Sequence, residues 1–534
     1  MSKPDPICTN WSPDHTGCQK GGRYTCQNYK LITKTHWPRH KVDCRSPLGK
    51  ETWQPAWSRE GREPAFLGGG YQELGNKKYP WGNIPAFDVL QLPSNERVAY
   101  GGDFTLLFAA SGDLRSGIKT IYQVPESYKS SISLTINNRD IDIVAHNVIM
   151  LLIALLVNDP NEAVLCIIHI WYSSLLRKSD LDILQGLIRP LLQAVCDSIK
   201  DKGEDAVMAK TWSSGGHELR VVLTKSSWYR LVSFLDVPAG LTAERATRIR
   251  TQVPKGRSPA FFGHPRTLFQ NGDSWPMIDS EDLLLDWSPE DVAETSSGAA
   301  PADIYGKLFY FLRTTLSSSL GRMSTMKLSF KLLQVDVNKL LPHIQNKRFD
   351  RIEASRPPIV SNISDTGYIG IDTTLALAMP CLQPVEANPH ATLITLFMNS
   401  IEEFMTDEDH KRLALVGDAS AEPVLKYLYP PPPNLLLSRY DRFTFRFMFG
   451  KDLVVPFDHI FARYTEHFRF QELGVLLGAL QKERHTLVPK WPCQLKLQPG
   501  QEGEREEFDK FLASGLCGKE RYVEWQRVAT QVAK

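Results

Sequence analysis

The sequence predicts an α/β protein built on a mostly parallel sheet with helical insertions, and three observations predict it. Phe104 to Ala110 is an unbroken apolar run, suited to a strand buried on both faces. The small-residue turn Ser111-Gly112-Asp113 follows at once and leads into a helical stretch, Leu114 to Val124, stopped by Pro125. A second strand-like run, Ile132 to Ile136, ends at Asn137-Asn138-Arg139-Asp140 and opens onto a long apolar helix from Ile141 to Val157. Strand, turn, helix, strand and helix in that order make a βαβ unit, whose strands lie parallel.

The later elements continue the alternation. Asn158-Asp159-Pro160 stops one helix and starts another, with proline in its first turn. Val164, Ile167, Ile168, Trp171 and Leu175 give that helix an apolar face, and His169 beside it reads as a packing histidine. Leu181 to Ile199 reads as a helix, Leu219 to Leu223 as a strand, Gly240 to Arg250 as a helix with a wet arginine face, and Tyr305 to Leu316 as a helix. Phe330 to Val335 reads as a strand ended by Asp336, followed by Phe349-Asp350-Arg351-Ile352-Glu353 and Ser361-Asn362. Asn388 and Pro389 suit the start of a helix running to Met405, where His390 would be a capping-region residue. Tyr440 to Val455 is aromatic-rich and suits paired strands, Leu487 to Leu497 suits a bounded strand, and Glu504 to Val528 suits a charged helix.

The chain has 534 residues, 42% of them hydrophobic and 23% charged, which suits a soluble globular protein with two or three domains. A net charge of +2 gives no global field for nucleic acid or membrane. The 9 cysteines include five scattered singletons, which is not a disulfide framework. The start lacks a signal-peptide core, and the longest apolar run, Val148 to Val157, is too short to span a bilayer. The expected setting is intracellular, cytoplasmic or nuclear.

The strand–turn–helix order resembles the nucleotide-binding half of a Rossmann-like fold, in which ligands sit at the carboxyl ends of strands. Ser111, Gly112 and Asp113 occupy the loop after the first strand, and Asp140 follows the second, where an acid would bind ribose hydroxyls. These four are the candidate cofactor-binding residues. A single glycine stands where a dinucleotide loop needs several, so a tight turn capped by Ser111 or Asp113 explains the same residues. The stretch from Phe330 to Asn362 resembles the middle of methyltransferase folds, with Asp336 or Asn362 near an S-adenosylmethionine pocket, although Pro357-Pro358 interrupts a continuous strand.

At the N-terminus, Trp37-Pro38-Arg39-His40-Lys41-Val42-Asp43-Cys44 follows Cys8, Cys18 and Cys26. His40 and Cys44 share one face of a helical turn and can point at one ion. The segment resembles a degenerate MYND-type zinc finger. The resemblance implies metal ligands at Cys8, Cys18, Cys26, His40 and Cys44, of an original eight. One site keeps Cys26, His40 and Cys44, the other Cys8 and Cys18, so a single zinc ion and a metal-free remnant both fit.

Trp81-Gly82-Asn83-Ile84-Pro85-Ala86-Phe87-Asp88, Leu107 to Arg115, and Asn137-Asn138-Arg139-Asp140 resemble the domain of unknown function numbered 4470, found at the start of axonemal dynein assembly factor three and after MYND fingers in fungal proteins. The resemblance implies a Rossmann-like, methyltransferase-like body of no established reaction. The organisation expected is a finger over 1–45, a linker over 46–80, a body over 81–380 with a flexible insertion near 254–301, and an extension over 381–534. Motifs for a paired nucleophile and base, a phosphate loop or a kinase are missing. Three functions follow: an assembly factor that binds other proteins through finger and loops, an S-adenosylmethionine-dependent methyltransferase, or a pseudo-enzyme retaining that fold.

Overall fold

The computed structural model describes residues 84–173, 175–236, 283–298, 303–354, 369–414, 422–428, 442–513 and 518–528, together with 24–25, 31–32, 37 and 264–265. Strands β1 (Phe104–Phe108), β2 (Ile132–Asn137), β3 (Val207–Ser214), β4 (His217–Thr224), β5 (Leu328–Leu333), β6 (Arg351–Glu353), β7 (Thr392–Phe397), β8 (Ala479–Gln481) and β9 (Arg521–Arg527) form one sheet of nine. Its spatial order is β8-β9-β7-β6-β1-β2-β5-β4-β3. The six strands from β7 to β4 run parallel. The edges reverse: β3 is antiparallel to β4, β9 to β7, and β8 to β9. β1 pairs β2 in register from Phe104↔Ile132 to Phe108↔Ile136.

Because strand side chains alternate, each strand feeds two cores. Phe104, Leu106, Phe108, Leu134, Ile136, Phe330 and Leu332 share one cluster with α1 (Arg115–Gln123), α2 (Ile141–Leu156), α3 (Pro160–Tyr172) and the long α4 (Ile304–Arg322). Leu107, Ile352, Leu393, Phe397, Val523 and Trp525 point the other way, onto α5 (Gly370–Ala378), α6 (Asp458–His467) and α7 (Phe470–Leu477). A Cβ on Gly117 of α1 would lie 3.3 Å from Leu134, so the glycine lets this helix press onto β2.

Local chemistry sets the helix starts. Asp140 and Asp159 accept from the backbone N–H groups of Asp142 and Asn161, and Pro160 occupies the first turn of α3. His169 does pack: its Nδ1 lies 2.5 Å from the buried Asp180 carboxylate. The expected helix Leu181 to Ile199 contains a π turn over Leu184–Ile188.

Four expectations fail. Residues 392–397 form a strand rather than a helix, because every side chain there is buried between parallel and antiparallel neighbours. Asn388 caps no helix; it donates to Asp350 Oδ1 at 2.9 Å. Arg442–Val454 is helical rather than paired strands, and Arg446, Phe447, Gly450 and Leu453 are buried at helical spacing. The expected helix Glu504 to Val528 divides into Glu504–Ala513 and β9. Between them Gly518 takes φ +69° and abuts the Asp452 carbonyl, a conformation and an approach that favour glycine. Leu487 to Leu497 is not a strand: the Glu524 carboxylate captures the N–H groups of Thr486, Leu487 and Val488. The expected helix Gly240 to Arg250 and the linker over 46–80 lie outside the described residues; of the insertion near 254–301, residues 264–265 and 283–298 are described, with Pro289–Glu294 helical and Trp287 buried.

Candidate functional site

The parallel strands deliver their carboxyl ends to one rim of the sheet, where the loops after β1, β2 and β5 meet. Two adjacent asparagines on β2 and its exit bind these loops together. Asn137 donates to the carbonyls of Ala109 (2.9 Å) and Val335 (3.0 Å), and its Oδ1 accepts from the Val335 N–H (3.1 Å). Asn138 donates to the Ser111 carbonyl at 2.5 Å, while its Oδ1 accepts from the Asp140 N–H at 2.7 Å. Both are buried, so these bonds satisfy groups that water does not reach.

The predicted cofactor residues fall on this rim. Ser111, Gly112 and Asp113 come together in one buried loop, and Asp140 stands half-buried across Asn138 from it. Each of the three side chains has an internal partner. Ser111 Oγ donates to the Asp113 carbonyl at 2.5 Å. The Asp113 carboxylate accepts from the Arg115 N–H at 3.2 Å and faces the Arg115 guanidinium at 3.5 Å. Asp140 spends its carboxylate on the N-cap of α2, at 2.8 Å from the Asp142 N–H. Asp336 likewise caps a short 3-10 turn at Val337–Lys339. Asn362 lies outside the described residues.

Behind the loop sits a charge cluster that sequence reasoning missed. Arg115 has 0% side-chain exposure and reaches Asp286 Oδ1 at 3.0 Å. Asp286, also at 0%, accepts from Tyr172 Oη at 3.2 Å, and Trp287 Nε1 donates to the same Tyr172 oxygen at 3.0 Å. The Asp286 backbone carbonyl accepts from Ala86 N–H at 2.7 Å, tying the start of the body to the same spot. Burial pushes the Asp113 carboxyl up, against the opposing pull of Arg115. Burial, reinforced by Asp286, pushes the Tyr172 phenol well above its ordinary value. Trp171 stacks on Tyr172, and Trp287 packs edge to face against Trp171 and Phe311 around these groups. The signal in the sequence was Arg115 itself, a cation at the first residue of α1, two positions after Asp113; its partner Asp286 is 171 residues away and carries no local mark.

Chemically, this arrangement places an acid, a guanidinium, a second acid and a phenol in one buried line of contacts. The Ser111 hydroxyl has a backbone carbonyl for its acceptor rather than a base. On the opposite sheet face, an apolar cavity of about 20 Å³ lies under the β1 and β6 ends, lined by Leu107, Ala109, Ile352, Ala354, Leu340 and Leu377. A second, of about 50 Å³, lies between α1, α2, α4 and the sheet and is also lined almost wholly by aliphatic side chains.

No cluster of three or more His, Cys, Asp or Glu fit for a metal occurs among the described residues. Cys8, Cys18, Cys26, His40 and Cys44 lie outside them. The described cysteines Cys166, Cys196, Cys381 and Cys493 are buried. Among the described residues no helix is long and apolar enough to cross a membrane.

Fold and site together define a mixed α/β protein whose sheet-end loops are held by an asparagine pair and a buried Asp–Arg–Asp cluster. Residues 80–176 match the model of a domain of unknown function, DUF4470. That segment contains β1, β2, the asparagine pair, Asp113, Arg115 and Tyr172, whereas Asp286 lies beyond it. No curated protein and no solved structure matches the chain.

Proposed function

We propose that this protein is a non-catalytic Rossmann-like scaffold that acts by binding other proteins, as an assembly factor does. One observation carries the reading: the loop that would hold a nucleotide, Ser111-Gly112-Asp113, is buried and bonded to side chains of its own chain, with Asp113 turned onto Arg115. A cofactor would have to displace those contacts and leave Arg115 beside Asp286 with its second carboxylate lost. The Rossmann-like part rests on strand order. With the β3–β4 hairpin set aside, β5-β2-β1-β6-β7 takes the order 3-2-1-4-5. The reversed last strand β9, lying between β7 and β8, supports a methyltransferase-like form of that order. The N-terminal MYND-type spacing suits a partner-binding finger; zinc held by Cys26, His40 and Cys44, with Cys8 and Cys18 nearby in sequence, belongs to the same reading and rests on spacing alone.

The same strand order favours a second reading, an S-adenosylmethionine-dependent methyltransferase, with the cofactor against Ser111, Gly112, Asp113 and Asp140. Isothermal titration of S-adenosylmethionine into the full chain, with Asp140→Ala alongside, separates the two. The scaffold reading expects no heat and no thermal shift at millimolar ligand. Micromolar binding that the variant loses would overturn it.

A further inference from the structure

A sheet of parallel strands is ordinarily covered by helices on both faces. Here the face built by Leu107, Ile352 and Leu393 is covered under β1, β6 and β7 but opens toward β3. The register places Thr135, Lys331, Arg220 and Thr211 side by side across β2, β5, β4 and β3. Along that row exposure rises: Thr135 is buried, Lys331 half-buried, Arg220 and Thr211 exposed. One flanking row on the same face carries Ser133, Ser329, Glu218 and Ser213, and the other Asn137, Leu333, Val222 and Ala209. The row through Lys331 and Arg220 and the serine row beside it thus hold hydroxyls and charges where a covered sheet has aliphatic side chains.

The cations are gathered with no carboxylate paired to them among the described residues. Arg220 and Lys331 are direct register neighbours, a like-charge pairing that destabilises a sheet. Lys347 approaches from the β5–β6 connection. Lys331 donates to the His343 carbonyl at 3.0 Å, and Arg220 to Thr211 Oγ1 at 3.3 Å. Burial, then Lys347 and Arg220, lower the Lys331 pKa. Among the described residues none of these three cations makes an ion pair, although exposed Lys178 and half-buried Arg230 do. Glu218, the one acid on these strand rows, is two residues along β4 from Arg220 and forms no ion pair among the described residues.

We infer that this open face, Arg220, Lys331 and Lys347 beside the edge strand β3, docks an acidic, extended segment of a partner protein. If the body works by binding proteins, as proposed above, the face names the partner's chemistry. β3 is eight residues long and, among the described strands, pairs β4 alone, so its outer edge offers backbone groups for an added strand. Such a strand would set alternate side chains beside Thr211 on the row that leads to Arg220, two strand spacings or about 10 Å away, a span that a glutamate and the Arg220 side chain reaching toward each other can bridge. Single-stranded nucleic acid fits less well: these rows hold no aromatic side chain on which a base could stack.

The test uses the full chain and a fluorescein-labelled octaglutamate peptide, read by fluorescence polarisation, with an oligothymidylate of equal charge as comparator. The peptide is expected to bind and to weaken as salt rises from about 0.1 to about 1 M, because the Debye length falls from about 10 to about 3 Å. Arg220→Glu with Lys347→Glu should weaken binding by about tenfold or more, since both charges reverse, while Arg220→Lys retains it. Both sites are exposed and Arg220→Glu replaces a like-charge pair with Lys331 by an opposite-charge one, so the variants should melt no lower than the wild type. No peptide binding at low salt, affinity untouched by the reversals, or tighter binding of the oligothymidylate would each overturn the inference. S-adenosylmethionine binding would overturn the scaffold reading without changing this result, and failure of the peptide would leave the strand-end assignment standing.

Discussion

If the Asp113–Arg115–Asp286 cluster is architecture, removing one member should unfold the protein more easily; if it is a ligand site, removal should leave stability intact or improve it, because functional sites trade stability for activity. Asp286→Ala is the sharpest perturbation. Asp286 and Arg115 are both at 0% side-chain exposure and 3.0 Å apart, so the variant strands a buried guanidinium with Asp113, at 3.5 Å, as its remaining carboxylate. Tyr172 also loses its acceptor. Breaking a buried pair from one side costs about 3–5 kcal/mol. At about 2 °C or more per kcal/mol for large domains, the melting temperature should fall by about 6 °C or more. Thermal melts of the wild type, Asp286→Ala, Arg115→Met and the double variant Arg115→Met/Asp286→Leu test the account as a cycle. The double variant should recover much of the loss, since apolar replacement of a whole buried pair is often neutral or better. A single variant that melts within about 2 °C of wild type, or a double variant worse than the sum of the singles, would refute the structural role.

Two further outcomes are expected. Asn137→Ala removes three hydrogen bonds that join β1, β2 and β5 and leaves the Ala109 and Val335 groups buried; a loss of about 2–4 kcal/mol in chemical denaturation should result, with hydrogen exchange accelerated in the Ser111 loop. For Asp180, burial raises the carboxyl pKa, but hydrogen bonds from His169 and Arg177 outweigh it and hold it down at about 2 rather than 3.8. A carboxyl depressed on folding stabilises the protein above its unfolded value, and that contribution is lost as pH falls from about 4 to about 2; it amounts to about 2 kcal/mol. Melts of Asp180→Asn should therefore lie below wild type at pH 7 and converge with it near pH 2.

The first βαβ unit was legible because its determinants are local. An apolar run, a small-residue turn and a capped apolar helix specify β1, α1, β2 and α2 almost to the residue. The other strands were harder to read, because burial on both sides erases alternation. Thr392–Phe397 is apolar enough for helix or strand, and its register against β6 and β9 settles the choice. Phe443, Phe445, Phe447 and Phe449 alternate like a strand, yet the helix through them packs Phe447 and Leu453 against Phe508 and Val424. At the site, sequence located Ser111, Gly112, Asp113 and Asp140 on one rim. It missed what they bind, because Asp286 and the second role of Asn137 and Asn138 depend on chain segments far apart in sequence.

The placement of β1 and β2 in the middle of the sheet has a consequence for synthesis. Their outer neighbours are β5, beginning at Leu328, and β6, beginning at Arg351. On a ribosome adding about 5–20 residues per second, β2 would be made roughly 10–40 s before β5 exists. During that interval two apolar strands, Phe104–Phe108 and Ile132–Asn137, would stand with both flanks open. The nascent chain is thus expected to need a holding chaperone at that stage, and a fragment cut at residue 176, the end of the matched domain, would be left permanently in that sticky, half-built condition.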